Sequence, residues 1–67
     1  MKNRYLIQRR ADPHADLWET VARADKGSVA LSVARLLNRD DGLAYRVADR
    51  KARDVAAAYP ADGGPPF

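Results

Sequence analysis

The residues in this chain with the means to do chemistry are few and scattered. His14 is the only histidine, set between Pro13 and Ala15 in a polar loop. Asp12, His14 and Asp16 alternate there and offer at most a loose grip on a metal; loops of this composition are usually plain turns. Asp40 and Asp41 are adjacent, so their side chains diverge and suit a solvated turn better than acid–base work. Glu19 is the only glutamate and reads as a cross-strand partner for an arginine. No GxGxxG, phosphate loop, HExxH or Ser–His–Asp set is present. Catalysis is therefore not expected, nor a bound cofactor or metal.

Another pattern points to contact. Nine of the 12 basic residues are arginine, against 9 acidic residues, and the formal charge is +3. Guanidinium groups pair with carboxylates and phosphates through two parallel hydrogen bonds. The one tryptophan, Trp18, sits among these arginines in sequence. Tryptophan and arginine are the residues most enriched where binding energy concentrates. Indole stacking flanked by arginine also suits single-stranded nucleic acid, although sheets that bind RNA usually show two or three aromatics.

The elements that must position these residues follow from periodicity. One helix is clear, Asp25 to Asn38. Asp25 suits an N-cap, because its carboxylate can accept the free N–H groups of the first turn. Val29, Val33, Leu36 and Leu37 form one apolar stripe. Leu31 falls about 160° away from that stripe, so it is expected to face water or a second copy. Asn38 to Gly42 should close the helix.

Around this helix the chain reads as short strands. Residues 3–10 form the first, with Tyr5 and Ile7 inward and Leu6, Gln8 and Arg10 outward. Residues 17–23 form the second, a hairpin partner with Leu17 and Val21 inward and Trp18, Thr20 and Ala22 outward; the opposite phase, burying Trp18, is the competing reading. Residues 43–49 form the third, with Leu43, Tyr45 and Val47 alternating against Ala44, Arg46 and Ala48. Residues 49–59 are ambiguous. Alanine favours a helix stopped by Pro60. A turn at residues 50–53 and a strand over 54–59 is preferred, because the third strand needs a neighbour.

The expected fold is thus α+β, a small antiparallel sheet with one helix on one face, in the order ββαββ. Residues 1–59 form the single domain and 60–67 a disordered tail, with Phe67 idle or a small anchor. A chain of 67 residues buries only about 60% of its unfolded surface, so it is marginal or gains stability by associating. It has no cysteine, hence no disulfide or thiolate site. No apolar run reaches the roughly 18 residues of a membrane span, and the N-terminus is too short in apolar residues for a signal peptide. A cytoplasmic setting is expected, without a membrane partner.

A single helix covers only one face of such a sheet. The uncovered face would present Leu6, Arg10, Trp18 and Arg46. The turn carrying Arg50, Lys51 and Arg53 would form a basic tip. These seven residues are the expected partner-binding set, and Leu31 the expected dimer contact.

The succession of a Tyr5 strand, Trp18-Glu19-Thr20-Val21, Asp25-Lys26 at the helix start and Tyr45-Arg46-Val47 resembles small accessory proteins of bacteriophages and mobile elements in GC-rich bacteria. The resemblance spans residues 4–59. A Thr-Gly turn would follow the last strand's Asp in such chains; here Ala52-Arg53 stands in that place. This class includes the anti-CRISPR proteins. The resemblance implies a non-catalytic protein that binds a host protein or ribonucleoprotein, such as a CRISPR effector, in the host cytoplasm. A small nucleic-acid-binding accessory protein and a self-associating structural module are the alternatives.

Overall fold

The structure, a computed structural model, describes residues 2–12 and 14–61. The chain runs β1 (Tyr5–Arg10), β2 (Glu19–Ala24), α1 (Gly27–Asp41), β3 (Ala44–Asp49), β4 (Asp54–Tyr59). The four strands form one antiparallel sheet in the order β2-β1-β3-β4. The expected ββαββ order holds, and residues 54–59 are a strand rather than a helix. Phe67 and the rest of 62–67 lie outside the described residues.

The register sorts the sheet into rows, because directly paired residues share a face. On the helix side, Ala22, Ile7, Val47 and Ala57 form one row, and Glu19, Arg9, Tyr45 and Tyr59 another. On the open side run Arg23, Leu6, Ala48 and Val55, then Thr20, Gln8, Arg46 and Ala58. The phases expected for β1 and β3 are those observed.

Both outer strands carry a bulge, and the one in β2 corrects an expectation. Ile7 pairs with Ala22 and Gln8 with Thr20, so Val21 is the extra residue of β2. The extra residue resets the alternation. Ala22 therefore faces the helix instead of pointing outward. Val21 and Leu17, expected inward, are exposed, Leu17 at 77%. In β4 the register shift at Val47/Ala48 makes Ala56 the extra residue and turns Val55 to the open side.

The helix also departs from its expected face and bounds. Its buried positions are Ala30 and Ala34. Val29 and Leu36, assigned to the stripe, are exposed at 49% and 65%. Leu31, expected to face outward, packs against the core beside Val33 and Leu37. The reason is steric. The sheet presents the large rings of Tyr5 and Tyr45, so the helix must approach with small residues. Gly27 continues that small stripe: a Cβ there would sit 3.3 Å from Tyr5 Oη.

Asp25 is not the cap. Lys26 holds that position without a side-chain bond, and the Asp25 carboxylate accepts from the Asn3 N–H instead. At the other end the helix continues to Asp41. Gly42 closes it at φ 71, donating its N–H to Asn38 O at 2.9 Å. That left-handed conformation suits glycine. Asn38 Nδ2 then donates to Leu43 O and Pro60 O, tying the end of β4 to the helix.

The buried core is Ile7, Ala24, Ala30, Ala34, Tyr45 and Val47. Because Ala34 is fully buried, an Ala34→Leu variant is overpacked by about 1–3 kcal/mol. A chain of this size then melts roughly 4 °C lower or more. Leu36→Ala, on the exposed side, should change stability by less than about 0.5 kcal/mol. Thermal melts of the two variants check the helix orientation.

Asp49 anchors the β3–β4 turn. Its carboxylate accepts from Arg4 Nε at 2.9 Å and Nη2 at 2.8 Å, and from the Lys51 and Ala52 N–H groups. The Arg4 hydrogen bonds, then the two backbone donors, lower its pKa to about 2 despite partial desolvation. A depressed carboxylate stabilises the fold above its unfolded pKa of about 3.9. That stability is lost as pH falls through the range from about 4 to about 2. Asp49→Asn should therefore be less stable at neutral pH and lose less on acidification. Urea titrations at pH 7, 4 and 2.5 measure both effects.

Candidate interaction face

Among the described residues no element of the fold covers the open side of the sheet. A hydrogen-bonded row crosses its middle. Arg46 Nε donates to Gln8 Oε1 at 2.7 Å, and Gln8 Nε2 donates to Thr20 Oγ1 at 3.3 Å. The Arg46 guanidinium carbon lies 4.4 Å from the centroid of the Trp18 ring. Such a stack contributes about 0.5–2 kcal/mol. It fixes two long side chains before any partner arrives, which reduces the ordering cost of binding.

Trp18 precedes β2 and is half-buried. Its ring meets Arg46 on the open side, as the preferred phase required, rather than lying under the helix. Leu6 and Arg46 share this face, Leu6 towards the β3–β4 turn and Arg46 at the centre. Arg10 pairs with Ala44 at the opposite end, and its Nε donates to Asp12 O at 3.4 Å. Arg23, opposite Leu6, joins them; the sequence reading missed it because the Val21 bulge was not foreseen.

Charge is segregated across the sheet. The open rows carry Arg23, Arg46 and Arg10 and no carboxylate. Glu19, Asp49 and Asp54 are all on the helix side. There Arg9 Nη2 meets Glu19 Oε1 at 2.6 Å. The Tyr45 hydroxyl donates to Asp41 Oδ2, which holds that carboxyl below its usual range. Burial, then the Asp41 bond, raises the Tyr45 pKa.

The basic tip is a separate place. Arg50, Lys51 and Arg53 are exposed in the β3–β4 turn, at the Tyr5–Asp49 end of the sheet. Arg50 donates from its backbone to Arg4 O and from Nη1 to Asn3 O. Arg53 has a left-handed φ of 56. Trp18 and Arg10 lie at the other end, so the tip and the indole do not form one site. Leu31 belongs to the core and to neither.

Near His14, Asp12 Oδ1 accepts from the His14 N–H at 2.9 Å. Among the described residues no group of three His, Cys, Asp or Glu is placed to hold a metal ion, and no helix is long and apolar enough to cross a membrane. No family model matches the chain, and no curated protein or solved structure matches it either.

Proposed function

We propose that this chain is a non-catalytic interaction protein that docks on another protein through the open face of its sheet. The observation that carries this reading is the segregation of charge. Three arginines and the Arg46–Trp18 stack lie on the uncovered face, while the strand carboxylates belong to the rows of the helix side. A face of one sign recruits a partner of the opposite sign and turns away its own copy.

A protein partner fits this face better than nucleic acid. Tyr5, Tyr45 and Tyr59 are all on the helix side, which leaves one indole in the open, already stacked by Arg46. A base-stacking platform needs more free rings than that. The small size and the resemblance to phage-encoded accessory proteins support one kind of partner. It is a host defence or nucleic-acid-processing complex, such as a CRISPR effector, that the chain inhibits by occupying a surface.

Affinity capture from the source cell tests this. A protein retained by the wild type and lost by a Trp18→Ala/Arg46→Glu variant supports the reading. Equal retention by both contradicts it. Nucleic acid recovered in its place, with affinity falling steeply as salt rises, would favour the nucleic-acid alternative.

A further inference from the structure

The outward side of α1 carries charge of one sign that nothing in the fold answers. Ser32, Arg35, Leu36 and Arg39 stand at helical spacing and are all exposed. Together they line one shallow recess of about 290 Å³. Arg35 and Arg39 are neighbours on the helix surface, one turn apart, where like charges repel. No Asp or Glu stands three or four residues from either to offset them. Among the described residues neither guanidinium has a carboxylate partner.

Other arginines are placed differently. Arg4 and Arg9 are paired with Asp49 and Glu19, and Arg46 with Gln8 and Trp18. At the β3–β4 turn Arg50 and Arg53 share a recess with Asp49 and Asp54, so an anion entering there meets carboxylates. Among the described residues no carboxylate lines the helix recess.

The donor set selects the kind of anion. Each guanidinium presents a planar fork of N–H donors, and Ser32 adds a hydroxyl. One fork is enough for a carboxylate. Two forks and a hydroxyl match the terminal oxygens and the near-double charge of a phosphate monoester. Leu36, 65% exposed, offers an apolar wall to the carbon skeleton of the ester. A bound dianion also relieves the repulsion between Arg35 and Arg39.

We propose that this recess binds the phosphate group of a small soluble monoester, with Arg35 and Arg39 each holding phosphate oxygens and Ser32 donating its hydroxyl. The site lies on the helix, across the sheet from the open face, and does not depend on partner capture by that face.

Phenyl phosphate, titrated from about 0.1 to 20 mM into isotope-labelled protein at pH 7.5, tests this by NMR. Saturable shifts are expected at the Arg35 and Arg39 Nε–H groups and at the Ser32 amide. Affinity should fall several-fold between pH 7.5 and 5, because the dianion takes up a proton near pH 6. Arg35→Gln and Arg39→Gln should each weaken binding roughly tenfold or more, the loss of a hydrogen bond between charged groups, with circular dichroism unchanged. A double Arg35→Lys/Arg39→Lys variant keeps the charge but loses the forks, and should bind more weakly than the wild type. Acetate should bind several-fold more weakly than phenyl phosphate. Shifts that grow without saturation at every arginine alike would mean general counterion attraction and overturn the site. So would acetate that matches phenyl phosphate, or undiminished binding by the two Gln variants. The Trp18→Ala/Arg46→Glu variant keeps the helix recess, so it should bind phenyl phosphate as the wild type does. Its loss of binding would place the anion on the open face and refute the helix site.

Discussion

Replacing Trp18 by Ala and Arg46 by Glu together should abolish partner capture while the fold persists. Both side chains lie outside the buried core, and the cost to the fold is the lost stack, about 0.5–2 kcal/mol, together with the Arg46–Gln8 hydrogen bond. The cost to binding is larger. Truncating a central indole or guanidinium commonly costs about 2 kcal/mol or more, and Arg46→Glu adds repulsion against an acidic partner. Together a loss of about 3 kcal/mol or more is expected, roughly a hundredfold in Kd. Reversing the tip (Arg50, Lys51 and Arg53 to Glu) should change affinity by less than about tenfold and act mainly on the association rate. Exposed rim charges steer encounter more than they hold the complex. Titration of the captured partner by calorimetry or surface binding separates the two variants.

The second large effect is on stability. Tyr45 is 1% exposed and, with Ile7 and Val47, fills the space beneath the helix. Tyr45→Ala empties that space. Losing a buried aromatic costs about 3–5 kcal/mol. At about 0.05–0.15 kcal/mol per residue, a chain this short has roughly that much stability in total, so the variant should be largely unfolded at 37 °C. Tyr45→Phe keeps the ring and separates packing from titration. The wild-type hydroxyl is buried and bonded to Asp41, so its folded pKa is raised above the ordinary value of about 10. A raised acid stabilises the fold below its unfolded pKa, and that stability is lost as pH climbs above about 10. Tyr45→Phe should therefore lose less stability between pH 9 and 11 than the wild type does. Urea midpoints across that range measure it.

How far the sequence could be read depends on which residues carried a signal. The alternation of Leu43, Tyr45 and Val47 fixed β3 and its faces, and a third strand in need of a neighbour correctly favoured β4 over a helix. The sides of Leu6, Arg10 and Arg46 followed from the same period. The bulges did not show, because Val21 and Ala56 look like ordinary strand residues; each flips the phase beyond it. Leu17 was placed inward because the strand was taken to begin there, whereas β2 begins at Glu19. The helix was misjudged because Ala30 and Ala34 are weakly apolar, whereas Val29 and Leu36 are strongly so. The missed signal was on the sheet: two inward tyrosines demand small residues opposite. Asp25 had the chemistry of a cap, but a backbone N–H distant in sequence, that of Asn3, took its carboxylate.

The most direct test of the open face is a residue-level footprint of the captured partner on isotope-labelled protein by NMR. The expected result is perturbation of the Leu6, Gln8, Ala44, Arg46 and Ala58 amides and the Trp18 indole, with Ser32, Arg35 and Arg39 of the helix unmoved. A footprint on those helix residues, with the sheet face silent, would contradict it.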